Sequence, residues 1–278
     1  MLRPIGSSTS AMGSSATPGK SIFRHSVHCV SRESHQLFFA CSIQVQIRFM
    51  ICKRERNRRG FFEFLLDAES MLKFNPRFLI VSLGNPLPKY ESLHSAGHFV
   101  LNGLAKTLHL PAFREVTLGR QSCLVSQGPK YILVQSPTYM NTSGGFVANA
   151  WQETARKYGA ESLGLVIVHD ELEKDFGVVK LLPWDRSPRG HNGVKSVRGS
   201  LSQKKYPESP FARVAVGIGR PEERDAATVS RYVLKKISRE HRTTLEEETP
   251  WDVAKCLMEL ENQWRIDVQG GSGGTTEQ

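Results

Sequence analysis

The sequence predicts a single α/β domain with a mixed, largely parallel central sheet flanked by helices. Three observations point there. The runs FLIVSLG (78–84), LGLVIVHD (163–170) and FARVAVGIG (211–219) are almost continuously apolar, as expected of strands buried on both faces. Segments with helical periodicity lie between them. Two shorter runs, CLVS and YILVQ, flank Gln127-Gly128-Pro129-Lys130 in the manner of a hairpin.

Taken in order, the globular pattern begins at Phe74. After the first strand, residues 95–108 place Phe99, Val100, Gly103, Leu104 and Leu108 on one helical face. Following the hairpin, Thr142 to Tyr158 reads as a helix, with Asn141 or Thr142 as cap and Gly159 as stop. VVKLL (178–182) is a short strand, and residues 192–203 open a helix behind a glycine. Helices are expected near 225–236 and, amphipathic, over 239–264. The folded domain therefore spans 74–267, between a basic, Ser-rich extension (1–70) and a Gly-rich tail (268–278).

Composition narrows the function classes. The chain has 278 residues, 39% of them apolar, enough for a sizeable core. Lys and Arg outnumber Asp and Glu by 37 to 27. Residues 1–59 alone hold ten Lys/Arg against Glu33 and Glu55, so the excess is mostly a property of the N-terminus and does not itself argue for nucleic-acid binding by the fold. The Ser-rich, acid-poor start suits a mitochondrial transit peptide; a start near Met71 would instead imply a cytoplasmic protein. Five cysteines without a CxxC pair indicate unpaired thiols in a reducing compartment and no zinc module. The most apolar N-terminal stretch, 37–52, is broken by Gln44, Gln46 and Arg48, so no membrane span is expected.

The chemistry-bearing residues fall at strand ends. Asn85 follows the first strand, Asn141 follows YILVQ by a short link, and Asp170 ends LGLVIVHD. Ligands of open α/β sheets bind beyond the carboxyl ends of strands. One such residue could merely favour a turn. Three, with His94 and His191-Asn192 on neighbouring loops, point to a site. A histidine can take a proton from water, a carboxylate can orient it, and asparagines can hold a carbonyl or hydroxyl. No nucleophilic Ser or Cys fits, which favours direct attack by activated water, most readily on an ester.

Competing motifs are weaker. GGSGG (270–274) has the G-x-S-x-G form without the strand before it. His94 and His98 are four apart but lack a third ligand, so no metal is expected, and His98 is read as packed or exposed on its helix. RGHNG (189–193) lacks the Lys-Ser/Thr of a phosphate loop. Cys123 is read as a small core residue.

Five segments in order, LGNPLPKYESLHSAGHF, SPTYMNTSGG, VHDELEKDFGVVKL, RGHNGVKSVRGSL and FARVAVGIGRP, resemble the bacterial-type peptidyl-tRNA hydrolase family, over about residues 76–264. The resemblance implies a single α/β domain that cleaves the ester between a peptide and the 3′ ribose of tRNA, with no metal, no cofactor and no covalent intermediate. It implies His94 as the base that activates water, Asp170 as the carboxylate that orients it, and Asn85 as support for the reacting carbonyl. Met140 and Asn141 match the peptide channel, and His191 and Asn192 the binding of the substrate's 3′ end. Tyr90 matches an aromatic of the LGNP turn and is grouped with the substrate-binding residues without a chemical step. The expected partner is peptidyl-tRNA, bound at its acceptor end by a monomer, away from membranes. Residues 180–220 hold nine Lys/Arg against Asp185 and Glu208, a region expected to bind phosphate. Lys195 and Arg198 are the first phosphate contacts expected, with Lys204 and Lys205 behind them.

Three departures from the bacterial pattern stand out: Ser95 where an Asn is usual, the Gly-poor PWDRSP before RGHNG, and the long basic N-terminus. The first two resemble eukaryotic, organellar members. Some relatives serve RNA splicing in organelles, so an RNA-binding protein with hydrolysis secondary is the alternative. Retention of His94 and Asp170 favours the enzyme, and the basic patch disfavours an esterase for small substrates.

Overall fold

Seven strands form one sheet in the order β2-β3-β4-β1-β5-β7-β6 in the computed structural model, which describes residues 74–271. The expectations for the extension (1–70) lie outside the described residues, as does most of the tail (268–278), but the tail's first residues, up to Gly271, continue the last helix. The strands are β1 (Arg77–Ser82), β2 (Arg114–Leu118), β3 (Gln121–Gln127), β4 (Tyr131–Gln135), β5 (Leu163–Glu171), β6 (Val179–Pro183) and β7 (Phe211–Gly217). The central four, β4-β1-β5-β7, are mutually parallel, while β2, β3 and β6 add antiparallel edges. β2 was not evident in the sequence: REVTL has no apolar run, being an edge strand with mostly exposed side chains.

β1 shows why the sheet is central. Phe78 and Ile80 face one apolar layer, Leu79 and Val81 the other, and all four are fully buried. Alternation across a pleat delivers successive side chains to opposite faces. Each such side chain is worth roughly 1.5–3 kcal/mol of burial. On one face lie α1 (Ala96–Thr107) and the C-terminal helix, through Phe99, Leu104, Val253, Leu257 and Trp264. On the other lie α2 (Ser143–Tyr158) and α3 (Asn192–Ser200), through Phe146, Trp151, Val194 and Val197.

The expected helix 239–264 is three pieces. Helix α4 (Ala226–Val233) precedes α5 (Arg239–Thr243), a π turn (Thr244–Glu248) and α6 (Thr249–Gly271). Pro250 has no N–H to continue the ladder, so the hydrogen-bond register changes just before it. Among the described residues no helix is long and apolar enough to cross a membrane. Cys123 is buried in the core, and it and Cys256 are unpaired.

The order also places the site. β1 pairs with β4 on one side and β5 on the other, so successive crossovers leave it in opposite directions. That reversal opens a crevice beyond the carboxyl ends of these strands.

Candidate active site

At that crevice lies a cavity of about 660 Å³. Its lining includes Asn85 after β1, Met140 and Asn141 after β4, Asp170 in β5, and His191 and Asn192 at the head of α3. His94 enters from the 3-10 turn (Leu93–Ser95) that leads into α1.

Two glycines mark close approaches. A Cβ on Gly84 would lie 2.3–2.7 Å from the His98 ring, so only glycine lets the chain turn there against α1. A Cβ on Gly193 would lie 2.8 Å from Met140 Sδ, so the head of α3 packs closely on the Met140-Asn141 turn. That turn is a 3-10 segment (Met140–Thr142) with Thr142 at the N-cap of α2; the Thr142 hydroxyl donates to the Tyr139 carbonyl rather than capping the helix.

Asp170 is the hub. Its Oδ1 lies 2.8 Å from His94 Nδ1 and 2.9 Å from His191 Nε2, with the carboxylate side chain only 2% exposed. Burial opposes its ionisation, but the two histidines and their hydrogen bonds hold it far below the usual carboxylate range. For His94, burial would lower the pKa; the Asp170 charge and hydrogen bond outweigh it and leave the imidazole above its ordinary value. With Nδ1 on the carboxylate, Nε2 is the nitrogen left to exchange a proton. His94, Asp170 and His191 present ligand atoms within 4.8 Å of one another, a donor set that a divalent metal could use. In the present geometry both imidazole nitrogens instead donate to the carboxylate.

The structure separates the predicted residues. His94, Asp170, Asn85, Met140, Asn141, His191 and Asn192 share the cavity. Tyr90 does not line it: its hydroxyl donates to Gln135 Oε1 at 3.0 Å and its ring stacks on His98, because the Pro-rich turn folds it back against α1. Lys195, Lys204 and Lys205 are exposed and also lie outside the cavity lining. The Arg198 guanidinium donates to the Arg186 carbonyl at 2.9 Å, and the buried Arg213 donates to the same oxygen. Two arginines therefore tether the Gly-poor loop that leads to Pro188, Arg189 and Gly190 at the cavity wall.

Sequence reasoning missed other wall residues. Lys89 and Arg224 line the cavity, and Arg220, expected only as one of the nine basic residues of 180–220, lines it too, paired with Glu173. Arg220 follows β7 as Asn85 follows β1, so the strand-end rule would have found it. His169 also lines the cavity, buried, with Nδ1 donating to the Asp170 carbonyl at 2.8 Å; burial pushes it down to about 3. No motif distinguished it. His98 is fully enclosed, hydrogen-bonded to Ser82 at 2.7 Å, and takes no part in the cavity.

The family model for peptidyl-tRNA hydrolase matches residues 79–266, which include every residue of this site. The chain belongs to the peptidyl-tRNA hydrolase family. Among curated relatives, the peptidyl-tRNA hydrolase of Rhodococcus erythropolis is 36% identical over 192 residues, covering 66% of this chain and 92% of its own. That of Clostridium acetobutylicum is 33% identical over 171 residues, covering 61% and 84%. The crystal structure of peptidyl-tRNA hydrolase from Acinetobacter baumannii superposes with a TM-score of 0.52 at 26% identity, covering 68% of this chain and 91% of that one. The family match thus runs from within β1 to within α6.

Proposed function

We propose that this peptidyl-tRNA hydrolase family member cleaves the ester between a peptide, or an N-acylated amino acid, and the 3′ ribose of tRNA. The observation that carries the reading is the 2.8 Å contact between Asp170 Oδ1 and His94 Nδ1 at the cavity. His94 Nε2 takes a proton from water as the oxygen attacks the ester carbonyl. Asn85 donates to the oxygen that becomes negative. On collapse the C–O bond to ribose breaks and the proton on His94 passes to the leaving 3′ oxygen. Asp170 keeps the ring oriented and stabilises the imidazolium between the two transfers. Met140 and Asn141 line the peptide side of the cavity, and Asn192 the side that takes the 3′ end. Tyr90 supports the turn from behind.

Lys195, Arg198, Lys204 and Lys205 contribute to a phosphate-binding face on the elements that follow RGHNG. The exposed lysines support direct contact, and the tethering of Arg198 supports a shared role in holding the loop. The protein acts as a monomer without a metal. Its basic, Ser-rich N-terminus supports a mitochondrial address and an organellar, eukaryotic origin. Sequencing the N-terminus of the protein isolated from mitochondria tests that address: a start beyond the basic segment agrees with it, and exclusion from mitochondria refutes it. Release of free tRNA from purified peptidyl-tRNA, lost in His94→Ala, tests the activity.

A further inference from the structure

We propose that His191 is a positioning residue for the catalytic pair, a second fixed donor to the same Asp170 oxygen that orients His94, rather than a contact for the substrate. The proposal rests on the role of His94 as base and adds a group that adjusts it.

The tautomer of His191 follows from its two partners. His191 is the N-cap of α3, and its Nδ1 accepts the backbone N–H of Val194 at 3.2 Å. Nδ1 therefore carries the lone pair and the proton is on Nε2. Nε2 donates to Asp170 Oδ1 at 2.9 Å. Both nitrogens are thus engaged by protein, and neither is left for substrate. The ring is also confined from the sides, with centroids 5.1 Å from His94 and 5.0 Å from His169.

Two consequences follow. First, one carboxylate oxygen serves two imidazoles, so the donor from His191 withdraws part of the charge that would otherwise stabilise protonated His94. Secondly, the cap fixes His191 to α3, so the head of that helix, which also presents Asn192, is held in register with the His94–Asp170 pair. Other ionisable groups around the pair are His169 and Glu171 of β5, Lys89 of the Pro-rich turn, and Arg189 before α3; Glu173, Arg220 and Arg224 stand on the remaining cavity wall. Substituting His191 leaves all of these in place.

His191→Asn separates the two bonds. Asn is a good N-cap acceptor but is too short to reach Asp170. The expected result is that the acid limb of kcat/KM for peptidyl-tRNA moves up by about half to one pH unit, as Asp170 loses a competing donor. KM should stay within about twofold of the wild type on the same argument, since no substrate contact is removed. In the free enzyme, imidazole NMR should show the His94 titration moving up by the same amount, whether or not the protein hydrolyses anything. His191→Gln keeps an N–H donor able to reach the carboxylate and should restore the wild-type limb. The inference is overturned if His191→Asn leaves both the limb and the His94 titration unchanged, if it raises KM severalfold without moving either, or if His191→Gln shifts them as far as His191→Asn. Absence of hydrolysis by the wild type would fail the hydrolase reading alone, because the NMR shift is read without turnover.

Discussion

Ser95 Oγ accepts the backbone N–H of Asn85 at 3.0 Å, so the residue next to the proposed base holds the turn that carries the proposed carbonyl donor. Ser95 is itself fully buried, with Ser92 Oγ 3.4 Å away. The short serine that departs from the bacterial pattern therefore keeps a structural link across the two walls of the cavity. Ser95→Ala leaves a buried N–H without its acceptor, and should cost about 1–3 kcal/mol of stability. It should also reduce kcat more than it raises KM, because Asn85 acts mainly on the charge that develops during attack. Urea unfolding and steady-state kinetics on peptidyl-tRNA measure the two effects. An unchanged kcat would mean that Asn85 is held by other contacts.

Gly84→Ala should be more disruptive than its one added methyl suggests. The new Cβ would approach the His98 ring to 2.3–2.7 Å, and that ring is fixed by Ser82 on one side and stacked on Tyr90 on the other. Overpacking of this kind costs about 1–3 kcal/mol. A fall in the urea midpoint with an unchanged slope is the expected outcome; a midpoint equal to that of the wild type would show that the ring can yield.

Stability should decline on the acid side of neutrality before ordinary carboxylates titrate. Burial holds His98 and His169 down at about 3 in the fold, against 6.5 when unfolded. Between those values the unfolded chain binds the protons and the fold does not, so stability falls as pH falls. His94 has the opposite sign. Its raised value makes its contribution complete below 6.5 and lost as pH rises through its folded value. Asp170, depressed in the fold, adds stability that disappears only below its unfolded value of 3.8. The three histidines together place the maximum near neutrality, with about two protons taken up on unfolding near pH 5. Thermal melts from pH 4 to 8 test this, and His98→Gln should flatten the acid slope. A melting temperature that is flat from pH 7 to 5 would contradict it.

The exposed lysines Lys204 and Lys205 should act on affinity alone. Lys204→Glu/Lys205→Glu removes two exposed cations outside the cavity. Binding of tRNA should weaken, and the slope of log K against log salt should become shallower by about one for each phosphate no longer neutralised. The single-turnover cleavage rate at saturating substrate should stay within about twofold of the wild type, since the site itself is untouched. Filter binding across a salt series reads the slope. Unchanged affinity at low salt would remove these lysines from the interface.

Much of this arrangement was legible from sequence, for a physical reason. Asn85, Asn141 and Asp170 stand after apolar strands, and parallel strands must bring their carboxyl ends to one edge. Strand ends plus turn residues therefore point to the cavity. What escaped was set by partners distant in sequence. Tyr90 shares the turn with Asn85 but faces the core, because its direction depends on Gln135 and His98. The double use of Asp170 depends on His191 lying 21 residues further on at a helix cap. β2 escaped because an exposed edge strand carries little apolar signal.

Release of tRNA from a purified peptidyl-tRNA, measured for the wild type and for His94→Ala alongside tRNA binding by each, reads ester cleavage by the His94–Asp170 pair without intermediaries. The wild type should release tRNA, while His94→Ala should lose at least about a hundredfold in rate with tRNA affinity within about twofold. A wild-type protein that binds tRNA but never cleaves the ester, or a His94→Ala variant that cleaves it at the wild-type rate, would contradict that role for the pair.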